Sequence, residues 1–177
     1  MANKFQSQVN ILPAIGVPGQ HMSTNPLVST QKGYYAADTV TIGGFVWAAI
    51  VNKDDAIENK DDAIVNKDDA FVKSTGEDAP LGFAVREITN PLGYNQPASD
   101  TVPKGFPVSV AVKGDFAVIT KTEAKVGQSV FAVLKDGSIK TGTAGDAIED
   151  AIETDYKVVN INGGGAEGDI IVISNWA

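Results

Sequence analysis

With 177 residues, 18.5 kDa and 43% hydrophobic residues, the chain suits one domain, or one domain with a substantial arm, and disorder throughout is excluded. The absence of cysteine and the single His21 exclude a disulfide framework, a thiol nucleophile, a thiolate metal site and a two-histidine metal site within one chain. The net charge of −8 is concentrated in residues 52–72 and 146–155, and no segment forms the basic face that a nucleic-acid backbone requires.

Aromatic residues make up only 7%, so the sequence predicts a core of Val, Ile, Ala and Leu. With many Thr and Gly, these residues favour thin β-layers over long helices. Met1 to Gln6 shows no apolar leader. The longest apolar run, Phe45 to Val51, is far short of the ~20 residues of a spanning helix. The expectation is a soluble protein made in a cytoplasm, with neither nucleic acid nor membrane as a partner.

In residues 1–30, Pro13, Gly16, Pro18, Gly19 and Pro26 interrupt short apolar pieces, so no useful helix forms there. This segment is read as an N-terminal arm, followed by a single β domain at 31–177. Two readings of the arm stand side by side. It is a coil packed along its own domain, or an extended segment that lays Phe5, Val9, Ile11, Leu12 and Ile15 on a neighbouring subunit.

Strand signals then follow closely. Val40 to Ile50 is β-rich, with Phe45 and Trp47 on one face. Residues 52–72 repeat Asn-Lys-Asp-Asp-Ala three times with a period of seven, carrying seven acids against three lysines. Adjacent apolar pairs such as Ala56-Ile57 cannot build a coiled-coil seam. An odd period also sends equivalent residues of a strand to alternate faces. We read this as a duplicated surface insertion exposing Asp54, Asp55, Asp61, Asp62, Asp68 and Asp69. Competing readings are a calcium site, although the glycine-containing loop pattern is absent, and a partner-binding acidic face.

Gly82 to Ile88 predicts a strand ending near Asn90-Pro91. Phe106 to Val112 and Phe116 to Thr120 predict a hairpin about Lys113-Gly114-Asp115. Ser129 to Leu134 and Ser138 to Thr141 predict a second hairpin about Lys135-Asp136-Gly137. At Gly145 to Tyr156, Asp146 and Glu149 have capping-box spacing, but alternation from Ile152 favours a loop leading into a strand. Lys157 to Ile161 and Asp169 to Ser174 complete the strands, around Asn162-Gly163-Gly164-Gly165. Short strands at this spacing predict an all-β fold, a jelly-roll-like sandwich or small β-barrel with an extended N-terminal arm.

No phosphate loop or nucleophile elbow is present, and the acids sit in polar runs where solvent keeps them ordinary. No catalytic, cofactor-binding or metal residues are assigned, and no enzyme or cofactor is expected.

Pro80-Leu81-Gly82-Phe83-Ala84-Val85-Arg86, then Pro103-Lys104-Gly105-Phe106-Pro107-Val108-Ser109-Val110, then Lys113-Gly114-Asp115-Phe116 resemble the structural cement protein family of tailed phages. The likeness continues through Val126 to Ala132 and Leu134 to Ile139, and ends in Ile173-Ser174-Asn175-Trp176. Phe5 to Val9 and Ser23-Thr24-Asn25-Pro26 are similar to the family's opening. The heptad insertion departs from the pattern, so its role cannot be borrowed. The resemblance implies a non-enzymatic decoration protein, made in the host bacterial cytoplasm, that binds the exterior of an assembled phage capsid. Its implied partners are the major capsid protein and copies of itself, as a dimer or trimer. The alternative is a glycan- or receptor-binding β module on the virion surface.

Overall fold

The structure is a computed structural model that describes residues 16–30, 33–49, 70–87, 100–161 and 164–176. Among these residues every regular element is a strand. In chain order they are β1 (Val28–Ser29), β2 (Tyr34–Ala36), β3 (Val40–Thr41), β4 (Phe45–Ala49), β5 (Ala70–Lys73), β6 (Gly82–Ala84) and β7 (Thr101–Val102). There follow β8 (Pro107–Val108), β9 (Val110–Lys113), β10 (Asp115–Ile119), β11 (Ser129–Val133), β12 (Ile139–Gly142), β13 (Ala151–Asn160) and β14 (Ile170–Ser174).

They form a seven-stranded sheet in the order β1-β9-β6-β4-β5-β2-β8, a five-stranded sheet in the order β10-β14-β13-β11-β12, and a β3-β7 ribbon. Among the described strand pairings only that of β2 with β5 is parallel, and the single bridge from Thr120 to Ile139 is parallel as well. β8 and β9 stand near opposite ends of the larger sheet, yet Ser109 alone separates them in the chain. A single residue spans only a few ångströms, so that sheet must curl until its ends approach. The curl wraps a small core of Val46, Val72, Ala84, Val108 and Val110, joined by Val40 and Val102 of the ribbon. The five-stranded sheet bends as well, its two outer strands meeting at one bridge, Thr120 to Ile139. Neither sheet closes as a continuous ladder, and the arrangement is sandwich-like, as the strand spacing predicts.

Successive residues of a strand point to opposite faces. In β4, Val46 enters the inner core of the curl while Phe45 and Trp47 face the other sheet. A strand covered on both sides reads as an unbroken apolar run, which explains Phe45 to Ala49. The buried core is mostly Val, Ile and Ala, as composition predicts, with a few aromatics gathered at its centre between the sheets. Phe83 stacks on Phe116 with centroids 4.4 Å apart. Phe45 meets Phe83 and Tyr156 edge-on, each at 5.6 Å. Scarce aromatics thus collect where the two sheets meet.

Local turn chemistry holds at one predicted hairpin and fails at the other. β11 and β12 pair antiparallel around Lys135-Asp136-Gly137. Gly137 has φ 69°, and a Cβ there would lie 2.1 Å from the Phe45 carbonyl oxygen, so only glycine fits. The other predicted hairpin is not one. β9 pairs with β1 and β6, whereas β10 pairs with β14, so Lys113-Gly114-Asp115 carries the chain from one sheet to the other. Phe106 to Val112 is likewise two strands, β8 and β9, divided at Ser109.

The strand predicted over Gly82 to Ile88 leaves the ladder after Ala84; Asn90-Pro91 lie outside the described residues. Beyond Ala84 its donors turn elsewhere: the Val85 amide to Ser109 and the Arg86 amide to Gly19. Ala70-Phe71, read as part of the repeat, begins β5, whose Val72 is fully buried. At 145–150 a loop does lead into a long strand, β13. There Asp146 Oδ2 accepts the Thr143 amide at 2.8 Å, closing a turn with no helix to cap.

Candidate functional site

Residues 16–30 run along the body of the protein. The Gly19 amide donates to Ala117 at 2.8 Å, and His21 bridges Phe116 in antiparallel fashion, so this segment covers the β10 side of the five-stranded sheet. The edges of the other sheet are blunted differently. β1 and β8 are two residues each, and β8 begins with Pro107, which offers no donor.

Three segments far apart in sequence meet where residues 22–25 cross the start of β10. The Asp115 carbonyl accepts the Met22 amide at 2.8 Å. Its carboxylate Oδ2 accepts from the Ser23 hydroxyl and from Asn25 Nδ2, the latter at 2.7 Å. Register sets Ser174 of β14 directly opposite Asp115. Next along the chain, the Asn175 side chain accepts the Gly114 amide at 3.0 Å and donates to the Val112 carbonyl at 2.9 Å. Gly114 is needed there because a Cβ would stand 2.6 Å from the Phe116 ring. This cluster ties the N-terminal segment, the crossing between sheets and the final strand together.

Above it lies a cleft of about 410 Å³ lined by Met22, Ser23, Asn25, Asp115, Val159, Asn160, Val172, Ser174 and Trp176. Asp115 is 4% exposed, and its Oδ1 is buried without a hydrogen-bond partner. The Ser174 hydroxyl stands beside the carboxylate but is not placed to bond Oδ1, and it accepts the Trp176 amide at 3.0 Å. Burial by itself pushes the Asp115 carboxyl up; the adjacent Ser174 hydroxyl, the Ser23 and Asn25 donors and His21 together outweigh it, so the net shift is downward. Burial, with the charges of Asp115 and Asp155, drives the Tyr156 phenol well above its ordinary range and keeps it neutral. At the rim Trp176 is 42% exposed, with Lys113 Nζ 4.9 Å from its ring centroid. Leu27, Val28, Val112 and Val159 are further exposed apolar residues near this end of the sheets.

The candidate contacts Phe5, Val9, Ile11, Leu12 and Ile15 lie outside the described residues, as do Asp54, Asp55, Asp61, Asp62, Asp68 and Asp69. The Asp115 cluster is absent from the sequence-based candidates. Asp115 reads there as a turn residue, although an acid directly before Phe116 in an apolar strand was a usable signal. Among the described residues no three His, Cys, Asp or Glu side chains gather as a metal site.

A family model described as XM1 gp53 minor capsid protein matches residues 5–175. Among solved structures, the chain is similar to one in the capsid of Myoviridae phage XM1. The TM-score is 0.57 with 14% identity, over 99% of this chain and 96% of that one. A second likeness is to the head fiber gp8.5 N base of bacteriophage phi29. There the TM-score is 0.43 with 17% identity, over 84% of this chain and 93% of that one. At 14% identity the likeness to the XM1 capsid chain speaks to the fold alone. No curated protein sequence matches.

Proposed function

The chain belongs to the XM1 gp53 minor capsid protein family, and from that membership we propose that it is a non-enzymatic cement protein binding the outer surface of an assembled phage capsid. The observation that carries this reading is the family match across residues 5–175. As a member the chain is a structural component of the phage capsid and of the virion. The finer steps are the lattice contact, the exterior position, synthesis in the host cytoplasm and self-association as a dimer or trimer.

Physical features support those steps. Short, blunted sheet edges leave side chains, not open backbone, as the means of contact. A standard contact of ~800 Å² per partner would use less than a tenth of the 11592 Å² surface. Many copies on one shell add their modest contacts through avidity. Phe5, Val9, Ile11, Leu12 and Ile15 are proposed as contacts to a neighbour, and the acids of the repeat as a solvent-facing loop.

The test is addition of the purified protein to expanded shells that lack it. Saturable binding at micromolar concentration is expected, and shells left bare overturn the reading. Removal of residues 1–15 should preserve the fold and lower shell occupancy at least tenfold. Unchanged occupancy would remove the arm from the contact. Reproducible glycan-array binding by protein that ignores shells would favour the virion-surface glycan- or receptor-binding alternative.

A further inference from the structure

We propose that the Asp115 cleft is a binding site for a basic side chain, a lysine or arginine presented by the surface on which this protein docks. For the identity of that surface the proposal rests on the capsid reading above; the chemistry of the cleft stands on its own geometry.

The floor is a carboxylate with one oxygen filled and one unfilled. Oδ2 has the Ser23 hydroxyl and the Asn25 amide, while Oδ1 is buried without a partner. A buried acceptor left unfilled is costly, and a donor that brings positive charge relieves it best. His21 Nε2 is the other buried side-chain atom without a partner among the described residues, and the His21 ring packs against Phe116 beside this acid. His21 does not line the cleft, so the unmet capacity that the cleft itself holds is that of the Asp115 carboxylate.

The walls suit the rest of such a side chain. Met22, Val159 and Val172 offer apolar surface to a methylene stem, whose charged head would reach Asp115. Trp176 offers a ring at the mouth, and Lys113 already uses that ring as a cation platform. Lys113 does not itself line the cleft. The volume of about 410 Å³ falls within the ligand-pocket range of roughly 300–1,000 Å³. A neutral saccharide could use Asn25, Asn160 and the serine hydroxyls, but it would leave the carboxylate charge uncompensated.

The experiment is a nuclear magnetic resonance titration of the full chain with N-acetyl-arginine methylamide, read at the Trp176 indole. The Trp47 indole, which donates to the Asp78 carbonyl at 2.6 Å, serves as an internal reference. N-acetyl-norleucine methylamide and methyl glucoside are the uncharged controls. Expected are a saturable shift at Trp176, a still Trp47, and affinity that falls as ionic strength rises. Asp115→Asn should weaken binding at least tenfold, as should Trp176→Ala read at the Asn25 amide. The proposal is overturned by the absence of a saturable shift, by an equal response to either control, or by Asp115→Asn affinity within twofold of the parent. Should Asp115→Asn fail to fold, affinity indifferent to both salt and Trp176→Ala overturns it equally. Shell binding without probe binding sinks the cleft alone; probe binding without shell binding sinks the capsid reading alone.

Discussion

Asp115 and Phe116 are neighbours in the chain, yet they belong to regions held together by opposite physics. Phe116 points into the aromatic centre between the sheets, where it meets Phe83 and Tyr156, with Phe45 packed against both of those rings. Asp115 points the other way, to a polar rim where Ser23 and Asn25 are clamped against the body. The centre is stabilised by removing apolar surface from water and is indifferent to acid. The rim depends on an ionised carboxylate and on donors drawn from distant segments. A strand can therefore build scaffold with one face and a binding surface with the other.

The sharpest way to break this contrast is at the centre. Phe83→Ala should cost about 3–5 kcal/mol, through lost burial and the cavity left beside Phe116. Set against a total of about 5–15 kcal/mol, that change should appear as a large fall in the urea midpoint. A cost no larger than that of a rim substitution would dissolve the distinction.

At the rim, Asp115→Asn should cost about 1–3 kcal/mol and speed hydrogen exchange at the Met22 amide, which donates to the Asp115 carbonyl. The Phe116-centred core should keep its protection. The pH dependence follows from the direction of the shift. The folded carboxyl lies below its ordinary 3.8, because the adjacent Ser174 hydroxyl, the Ser23 and Asn25 donors and His21 overcome the opposing effect of burial. The native state thus binds fewer protons than the unfolded state as the acid titrates. This contribution is present above about pH 4 and is lost as pH falls through 3.8 toward the lower folded value. Urea midpoints of the parent and Asp115→Asn should differ by a constant amount near neutrality and converge in acid. Parallel curves throughout would show that the carboxylate is not the source.

The smallest effect belongs to the other acids. Glu149 is exposed in the loop before β13, so Glu149→Gln should change stability by less than about 0.5 kcal/mol and leave shell binding unchanged. A large loss would show that negative charge in general, and not one placed carboxylate, matters on this surface.

Much of the all-β character was legible in the sequence because its causes are local. Asp136-Gly137 turns the chain back wherever it occurs, and alternation at Phe45 and Trp47 places both rings on one side. Lys113-Gly114-Asp115 carries a similar local signal and yet joins two different sheets. The choice of strand partner rests on contacts distant in sequence, to which turn residues are blind. The same blindness hid β5, whose Val72 is buried only because β2 and β4 flank it. Composition foretold the largely aliphatic core but not the aromatic group at its centre, because counting residues says nothing of where they gather.

Sequence alone determined the strand-rich class, the absence of thiol chemistry, the uneven charge and the family likeness, since these follow from residue types and their order. Tertiary structure alone decided that Ser23, Asn25, Asp115, Ser174 and Trp176 line one cleft. Those residues span more than 150 positions of chain. They meet because β10 and β14 pair in one register and because residues 22–25 cross the start of β10, which no local pattern encodes.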